Sequence, residues 1–267
     1  MRTEYSTLIV EEGVDADAGI VTVTLNRPDK KNAASGVMWE DMRDTFRQIM
    51  LLNVHRVVIL TGAGGAFCSG ADLWGPGPDD GRDPHWLNGM RNISDLALLL
   101  HRLPMPVIAK VRGVAAGAGM NMALGCDLIV ASENARFSEI FAKRGLSIDF
   151  GGAWVLPRLI GMHRAKELAF FADIIDAEQA KEFGIVNRVV PDDELDEFVA
   201  NWARRLAAGP PIALAQTKRL LTNSFNMTMD QALEAEGAAQ TINFTTKDTE
   251  EAIRSFTEKR EPKFIGR

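Results

Sequence analysis

Two glycine-rich turns and one isolated aspartate carry the residue types that could do chemistry. The first turn is Gly62-Ala-Gly-Gly-Ala-Phe-Cys-Ser-Gly-Ala-Asp-Leu-Trp74, directly after the apolar run Val57-Val-Ile-Leu60. The second begins at Gly113, after Val107–Val111, and leads through a run of small and apolar residues to Ala131. Each reads as a buried strand that ends in glycines. Gly117, Ala118 and Gly119 have almost no side chain, so a ligand atom can approach the backbone closely. The helix expected after them starts with free N–H groups. Two such strand ends can bring two backbone N–H groups to one point, the minimal description of an oxyanion hole.

Other readings of the second stretch are weighed beside this one. A membrane span is disfavoured because Asn121 and Asp127 interrupt the run and four glycines weaken it as a lone helix. A dinucleotide fingerprint fits poorly, since the third glycine is misplaced. A close-packed core helix remains open from the spacing alone.

Asp149 stands between Ile148 and Phe150, just before Gly151-Gly152. It reads either as a helix N-cap, worth about 1 kcal/mol, or as a partly desolvated base whose pKa is raised by apolar neighbours. Position alone leaves both open. The polar turn Asn26–Asn32 holds three positive charges, including Lys30 and Lys31. It is either a solvated loop or a phosphate holder. His101 reads as a packing or surface residue of a helix.

These parts need a scaffold. The 267 residues suit one large domain or one with an appendage, and 46% hydrophobic residues can build a sizeable core. A net charge of −6 argues against a general nucleic-acid binder. Cys68 and Cys126 form no metal or redox spacing, so no metal site is expected and reduced thiols in a cytoplasmic protein are the plain reading. The start of the chain lacks a basic region followed by a long apolar stretch, so no secretory signal is expected, and no lipid anchor or membrane partner.

Period-2 alternation predicts strands over 7–12 and 20–25, joined by a turn. Ser35 is a candidate cap for a helix carrying Met38, Met42, Phe46 and Ile49. A helix is predicted over 87–103, ended by Pro104 and Pro106. Residues 75–84 are too rich in glycine and proline for regular structure and are expected to shape a pocket. Beyond about 161 the chain turns helical, with helices predicted over 163–172, 177–183, 193–208, 211–222, 229–245 and 249–258, and a short strand over 186–190. The expected division is a core over 1–195 and a helical module over 196–267.

Four segments closely resemble the crotonase family, the enoyl-CoA hydratase and isomerase superfamily. They are Leu25–Ala33, Ala66–Leu73, Gly113–Asp127 and Phe256–Phe264, in the family's order. The resemblance implies an α/β fold, a crotonase-like spiral of ββα repeats with a C-terminal helical trimerisation module, assembled as a homotrimer or hexamer. It implies an acyl-CoA thioester as substrate and no separate cofactor, coenzyme A entering as part of the substrate. The N–H groups of Ala71 and Ala118 are implied to receive the thioester oxygen. Asp72, Leu73 and Trp74 are implied to line the pantetheine and acyl path. Lys30, Lys31, Ala33, Ser69 and Gly117 are implied to face the substrate. Lys263 and Phe264 are implied to complete the coenzyme A site, for this subunit or a neighbour.

The hydratases of this family resemble one another in two glutamates. Here Asn121 and Phe141 occupy those positions, and neither is a general base. Asp149 falls where several isomerases and the chlorobenzoyl-CoA dehalogenase branch carry an aspartate. The segments Gly113–Gly119 and Asp149–Trp154 most resemble bacterial isomerases of the phenylacetyl-CoA pathway. The expected activity is therefore an enoyl-CoA isomerase, by double-bond shift or ring-epoxide rearrangement, with Asp149 as proton shuttle. A hydratase and a non-catalytic acyl-CoA-binding scaffold are the alternatives. Glu139 is a further acid in this stretch with no assigned role.

Overall fold

The computed structural model describes residues 1, 3–73 and 85–267. The expected loop over 75–84 and Trp74 lie outside the described residues. The strands are β1 (Leu8–Glu12), β2 (Ile20–Leu25), β3 (Val57–Gly62), β4 (Val107–Val111), β5 (Val114–Ala116), β6 (Leu128–Ser132), β7 (Arg136–Ser138), β8 (Ile175–Asp176) and β9 (Arg188–Val190). The helices are α1 (Gly36–Leu52), α2 (Trp86–His101), α3 (Ala118–Leu124), α4 (Gly152–Ile160), α5 (Met162–Phe171), α6 (Ala177–Glu182), α7 (Leu195–Ala207), α8 (Pro211–Asn223), α9 (Met229–Phe244) and α10 (Lys247–Glu258).

A six-stranded sheet has the order β1-β2-β3-β4-β6-β9, and a smaller one has the order β5-β7-β8. From β2 to β9 the large sheet is parallel, with β1 added antiparallel as a hairpin. Each parallel strand of the first four is followed by a short extended piece and then a helix. The pieces are Ala34 after β2, Cys68 and Ala71 after β3, β5 after β4, and β7 after β6. Isolated bridges pair Ala34 with Ala71 and Cys68 with Ala115, which carries the small sheet across successive units. This is the repeated ββα pattern of the crotonase fold.

Side-chain alternation gives the large sheet two faces. Ile20, Val57, Ile59, Ile108 and Val130 pack under Leu195, Val199 and Ala203 of α7. The intervening Val21, Val23, Val58, Leu60, Ala109 and Ile129 join the main core with Met38, Met42, Phe46 and Ile49 of α1 and Leu96 and Leu100 of α2. Each such buried side chain contributes about 1.5–3 kcal/mol. Lys110 and Arg112 on β4 and just after it pair with Asp196, and Arg112 also pairs with Asp192, which anchors the start of α7 over the sheet.

Helix ends follow local chemistry. The Ser35 hydroxyl accepts the Met38 N–H at 3.3 Å, and Thr228 and Gln231 form a reciprocal capping box at α9. Among the described residues no helix is long and apolar enough to cross a membrane.

The loop after β2 is held by one side chain. Asn32 is wholly buried. Its Nδ2 donates to the carbonyls of Ala63 and Ala66 at 2.9 and 2.7 Å, and its Oδ1 accepts the Arg27 N–H at 2.9 Å. It thereby joins the first polar turn to the glycine loop after β3. Asn32→Ala leaves three main-chain groups without this partner and is expected to cost about 3 kcal/mol of stability, read from the urea unfolding midpoint.

Candidate active site

The two glycine loops meet edge to edge. The Cys68 N–H donates to the Val114 carbonyl at 3.0 Å, and the Ala116 N–H donates to the Cys68 carbonyl at 2.9 Å. On the other side, the Ala34 N–H donates to the Gly70 carbonyl at 2.8 Å and the Asp72 N–H to the Ala34 carbonyl at 2.9 Å. Successive N–H groups of an extended segment point in opposite directions. The Ala71 N–H therefore turns away from Ala34. The Gly117 N–H is taken by the Ser138 carbonyl at 2.8 Å, which leaves Ala118 as the first N–H of α3. Neither the Ala71 nor the Ala118 N–H has an acceptor among the described residues. A Cβ on Gly70 would stand 4.0 Å from the Ala118 nitrogen, so the two donors belong to one place.

Glycine is required where the loops touch. Gly117 has φ 54° and ψ −127°, a conformation that L side chains avoid. Gly119 lies against the Cys68 carbonyl, and any Cβ there would overlap that oxygen. Cys68 itself is buried, and burial raises its thiol to about 11, so it is not a nucleophile near neutral pH. Among the described residues no group of three or more histidine, cysteine or carboxylate side chains is placed to hold a metal ion.

Lys30 and Lys31 are exposed, and their carbonyls receive the Ser69 hydroxyl at 3.2 Å and the Ser69 N–H at 3.0 Å. Two cations thus stand on the turn stitched to the Ala71 loop. Arg27 links the same parts. It pairs with Asp72 at 2.9 Å and donates to the Ala33 carbonyl. Asp72 consequently braces the loop as well as bordering it, while Leu73 is exposed. Arg27 and Asn32 were not singled out as working parts by spacing. Asn32 could have been, as a positive-φ asparagine closing a polar turn.

Asp149 comes near through Asn121. Asn121, one turn into α3, donates from Nδ2 to the Asp149 carbonyl oxygen at 3.0 Å and to Glu139 Oε2 at 3.3 Å. The N-cap of α4 is Gly151, with φ 82°, and no side chain caps that helix. The capping reading of Asp149 is therefore replaced. Its carboxyl is half-buried, its Oδ1 is buried without a partner among the described residues, and burial raises it to about 6. Glu139 is wholly enclosed, and burial raises it to about 8, against the hydrogen bond from Asn121 and with the charge of Asp149. The edge of the Phe141 ring lies beside Gly117 and adds apolar surface to the turn.

A cavity of about 870 Å³ opens between α2, α4 and α8. Phe150 and Gly151, the two residues after Asp149, line it together with Leu98, Leu103, Trp154 and Val155. His101 is also there, edge-on to Trp154 at 5.4 Å, and burial together with Lys218 lowers its pKa.

The C-terminal tail is elsewhere. The Phe264 carbonyl accepts Arg56 at 2.9 Å, and the Lys263 N–H donates to Glu251 of α10 at 3.0 Å. Arg56 precedes β3, whereas the glycine loop with Ala71 follows it, so six residues of strand, about 20 Å, separate the two ends. Within one chain Lys263 and Phe264 do not reach the site that joins Ala71, Ala118, Asn121, Phe141 and Asp149.

Replacing Gly119 by alanine is expected to push the Cys68 carbonyl away and misalign the two donors. Turnover of this site's substrate should then fall at least about 100-fold, the usual effect of losing one such donor, as read from steady-state kcat.

The enoyl-CoA hydratase/isomerase family matches this sequence over residues 15–267. The 1,2-epoxyphenylacetyl-CoA isomerase of Escherichia coli is 37% identical over 258 residues, covering 94% of this chain and 97% of that one. A probable enoyl-CoA hydratase of Rhodobacter capsulatus is 35% identical, covering 93% and 95%. The crystal structure of an enoyl-CoA hydratase from Bacillus anthracis superposes with a TM-score of 0.91 at 33% identity, covering 98% of this chain and 100% of that one.

Proposed function

The chain belongs to the enoyl-CoA hydratase/isomerase family, and from that premise we propose that it is an acyl-CoA isomerase with Asp149 as its single proton shuttle. The observation that carries this reading is the carboxyl of Asp149, which has an unpartnered buried oxygen and a pKa raised to about 6. A base tuned to that range is ionised at neutral pH yet holds a proton well enough to return it.

The chemistry needs few parts. The N–H groups of Ala71 and Ala118 donate to the thioester oxygen. Asp149 takes a proton from C2 of a 3-enoyl thioester, and the electron pair moves through the carbonyl to give a dienolate with its charge on that oxygen. Two preorganised donors stabilise this charge, each worth about 3–4 kcal/mol. Asp149, now neutral, returns the same proton to C4, and the double bond ends conjugated at C2. No water is consumed. Asn121 and Phe141 stand where the resemblance places the two hydratase glutamates. Neither activates water, which supports isomerisation over hydration.

The cavity beside Phe150 and Trp154 gives the acyl group room, and its aromatic wall suits a ring. The Escherichia coli relative is named for a ring epoxide, and that substrate class is the second reading within the same chemistry. Lys30 and Lys31 are assigned to the coenzyme A phosphates, with Lys263 and Phe264 supplied by a neighbouring copy. That arrangement goes with a homotrimer or hexamer. Phe170, Phe171, Phe225, Phe244 and Phe256 are exposed apolar residues of α5 and the C-terminal helical region that such an assembly would cover. Analytical ultracentrifugation should therefore give a trimer or hexamer, and a monomer would remove this source for Lys263 and Phe264.

The direct test mixes the enzyme with a 3-enoyl-CoA and, separately, a 2-enoyl-CoA. Ultraviolet absorbance follows conjugation and mass follows water addition. Conversion of the first with little hydration of the second is expected. Asp149→Asn should lose at least about 1,000-fold in kcat, and the wild-type rate should rise with pH through about 6 as the base ionises. Rapid hydration of the 2-enoyl-CoA would favour the hydratase reading. Binding without exchange of the α-proton would favour a scaffold.

A further inference from the structure

Behind Asp149 lies a second carboxyl that the double-bond shift does not use. Glu139 is 0% exposed and Asn121 1% exposed. Both N–H bonds of the Asn121 amide are committed, one to Glu139 Oε2 and one to the Asp149 carbonyl. Among the described residues three oxygen atoms here are buried without a partner: Asn121 Oδ1, Glu139 Oε1 and Asp149 Oδ1. With both carboxyls ionised, all three would be acceptors and the cluster would have no donor left for any of them. A proton on Glu139 supplies that donor and removes one of two like charges from a buried space.

We infer that Glu139 is a positioning residue of this site, a neutral carboxyl that fixes the Asp149 segment through Asn121 and stops turnover when it ionises. The inference rests on the reading of Asp149 as base. Ionised Glu139 would set a second negative charge beside the base and near the oxygen where the dienolate charge gathers. That charge opposes the same transition state the two N–H groups favour.

Among the described residues the surroundings offer no cation to relieve it. On the turn that follows β7, Lys143 and Arg144 are exposed, and Lys143 pairs with Asp173. On α5, His163, Arg164, Lys166 and Glu167 are exposed. Arg158 of α4 donates to the Trp154 carbonyl and lies over its ring. Arg136 of β7 and Asp176 of β8 are exposed, and β5 and α3 carry no charged residue. Among the described residues the titratable group whose charge acts on Glu139 is Asp149, which raises it.

The expected pH–rate profile is a bell, rising through about 6 and falling through about 8. Wild-type enzyme at pH 9 should keep about a tenth of its plateau rate. Glu139→Gln retains the shape and the acceptor for Asn121 but has no acidic proton. Whatever plateau it reaches, it should keep the rise through about 6 and lose the fall. An unchanged alkaline limb, or a uniform loss at every pH, would overturn the inference.

Carbon NMR of protein labelled at the glutamate side-chain carboxyl reads the same group without relying on turnover or on folding of the Gln variant. Glu139 should titrate near 8 in the wild type and lower in Asp149→Asn, where the neighbouring charge is gone. A titration in the ordinary glutamate range, or no change in Asp149→Asn, would overturn it. Full turnover by Asp149→Asn is a separate observable and would overturn the base reading, and this inference with it.

Discussion

Everything in this site depends on two loops being fastened along a short stretch of backbone. The pairing of Cys68 with Val114 and Ala116 sets the loop after β3 against the entry to α3. The pairing of Ala34 with Ala71 sets the first polar turn against the same loop. The Asp72 N–H goes to the Ala34 carbonyl and the Gly117 N–H to the Ser138 carbonyl, and among the described residues those of Ala71 and Ala118 have no acceptor. Extended backbone alternates its donors, so the Ala71 N–H turns away from Ala34, while the Ala118 N–H is free because it is the first of α3. One donor thus follows from sheet pairing and the other from a helix start, and neither needs a side chain. That is why alanine serves at both positions, and why glycine is demanded beside them at Gly117 and Gly119.

The acid–base side of the site obeys a different constraint. A carboxylate taken out of water holds its proton more tightly, and a second carboxylate nearby sharpens the effect. Asp149 is half-buried and Glu139 fully so. The fold therefore separates their pKa values, to about 6 and about 8, without changing residue type. In the proposed reading environment divides the roles, with one group moving a proton and the other keeping one. Asn121 connects them through its two amide N–H bonds.

Much of this was legible in the sequence, and the exceptions have physical causes. The long strands and the helices announced themselves through alternation, helical spacing and caps, and their ends agree within a few residues. Strands β5, β7 and β8 are only two or three residues long, too short to show a period, and the bridges at Ala34, Ala71 and Cys68 show none at all. Yet these set the geometry of the hole. Asn32 looked like one polar residue among several in a charged turn, because its partners Ala63 and Ala66 are some thirty positions away. Asp149 was legible as a carboxylate among apolar neighbours, but not as a residue left free by Gly151 at the cap. The C-terminal segment carried a recognisable motif, while its place at the far end of β3 depends on Arg56 and Glu251. Local pattern reports local structure, and contacts between distant segments leave little trace in it.

The central claim is that the unused N–H groups of Ala71 and Ala118 polarise a thioester. The most direct measurement is the infrared stretch of an isotope-labelled thioester carbonyl, taken for an acyl-CoA free in solution and bound to the Asp149→Asn variant, where chemistry is stopped. The account predicts a lower frequency in the bound state, because two donors draw charge onto the oxygen. A bound carbonyl that absorbs at the same frequency as in water would contradict it.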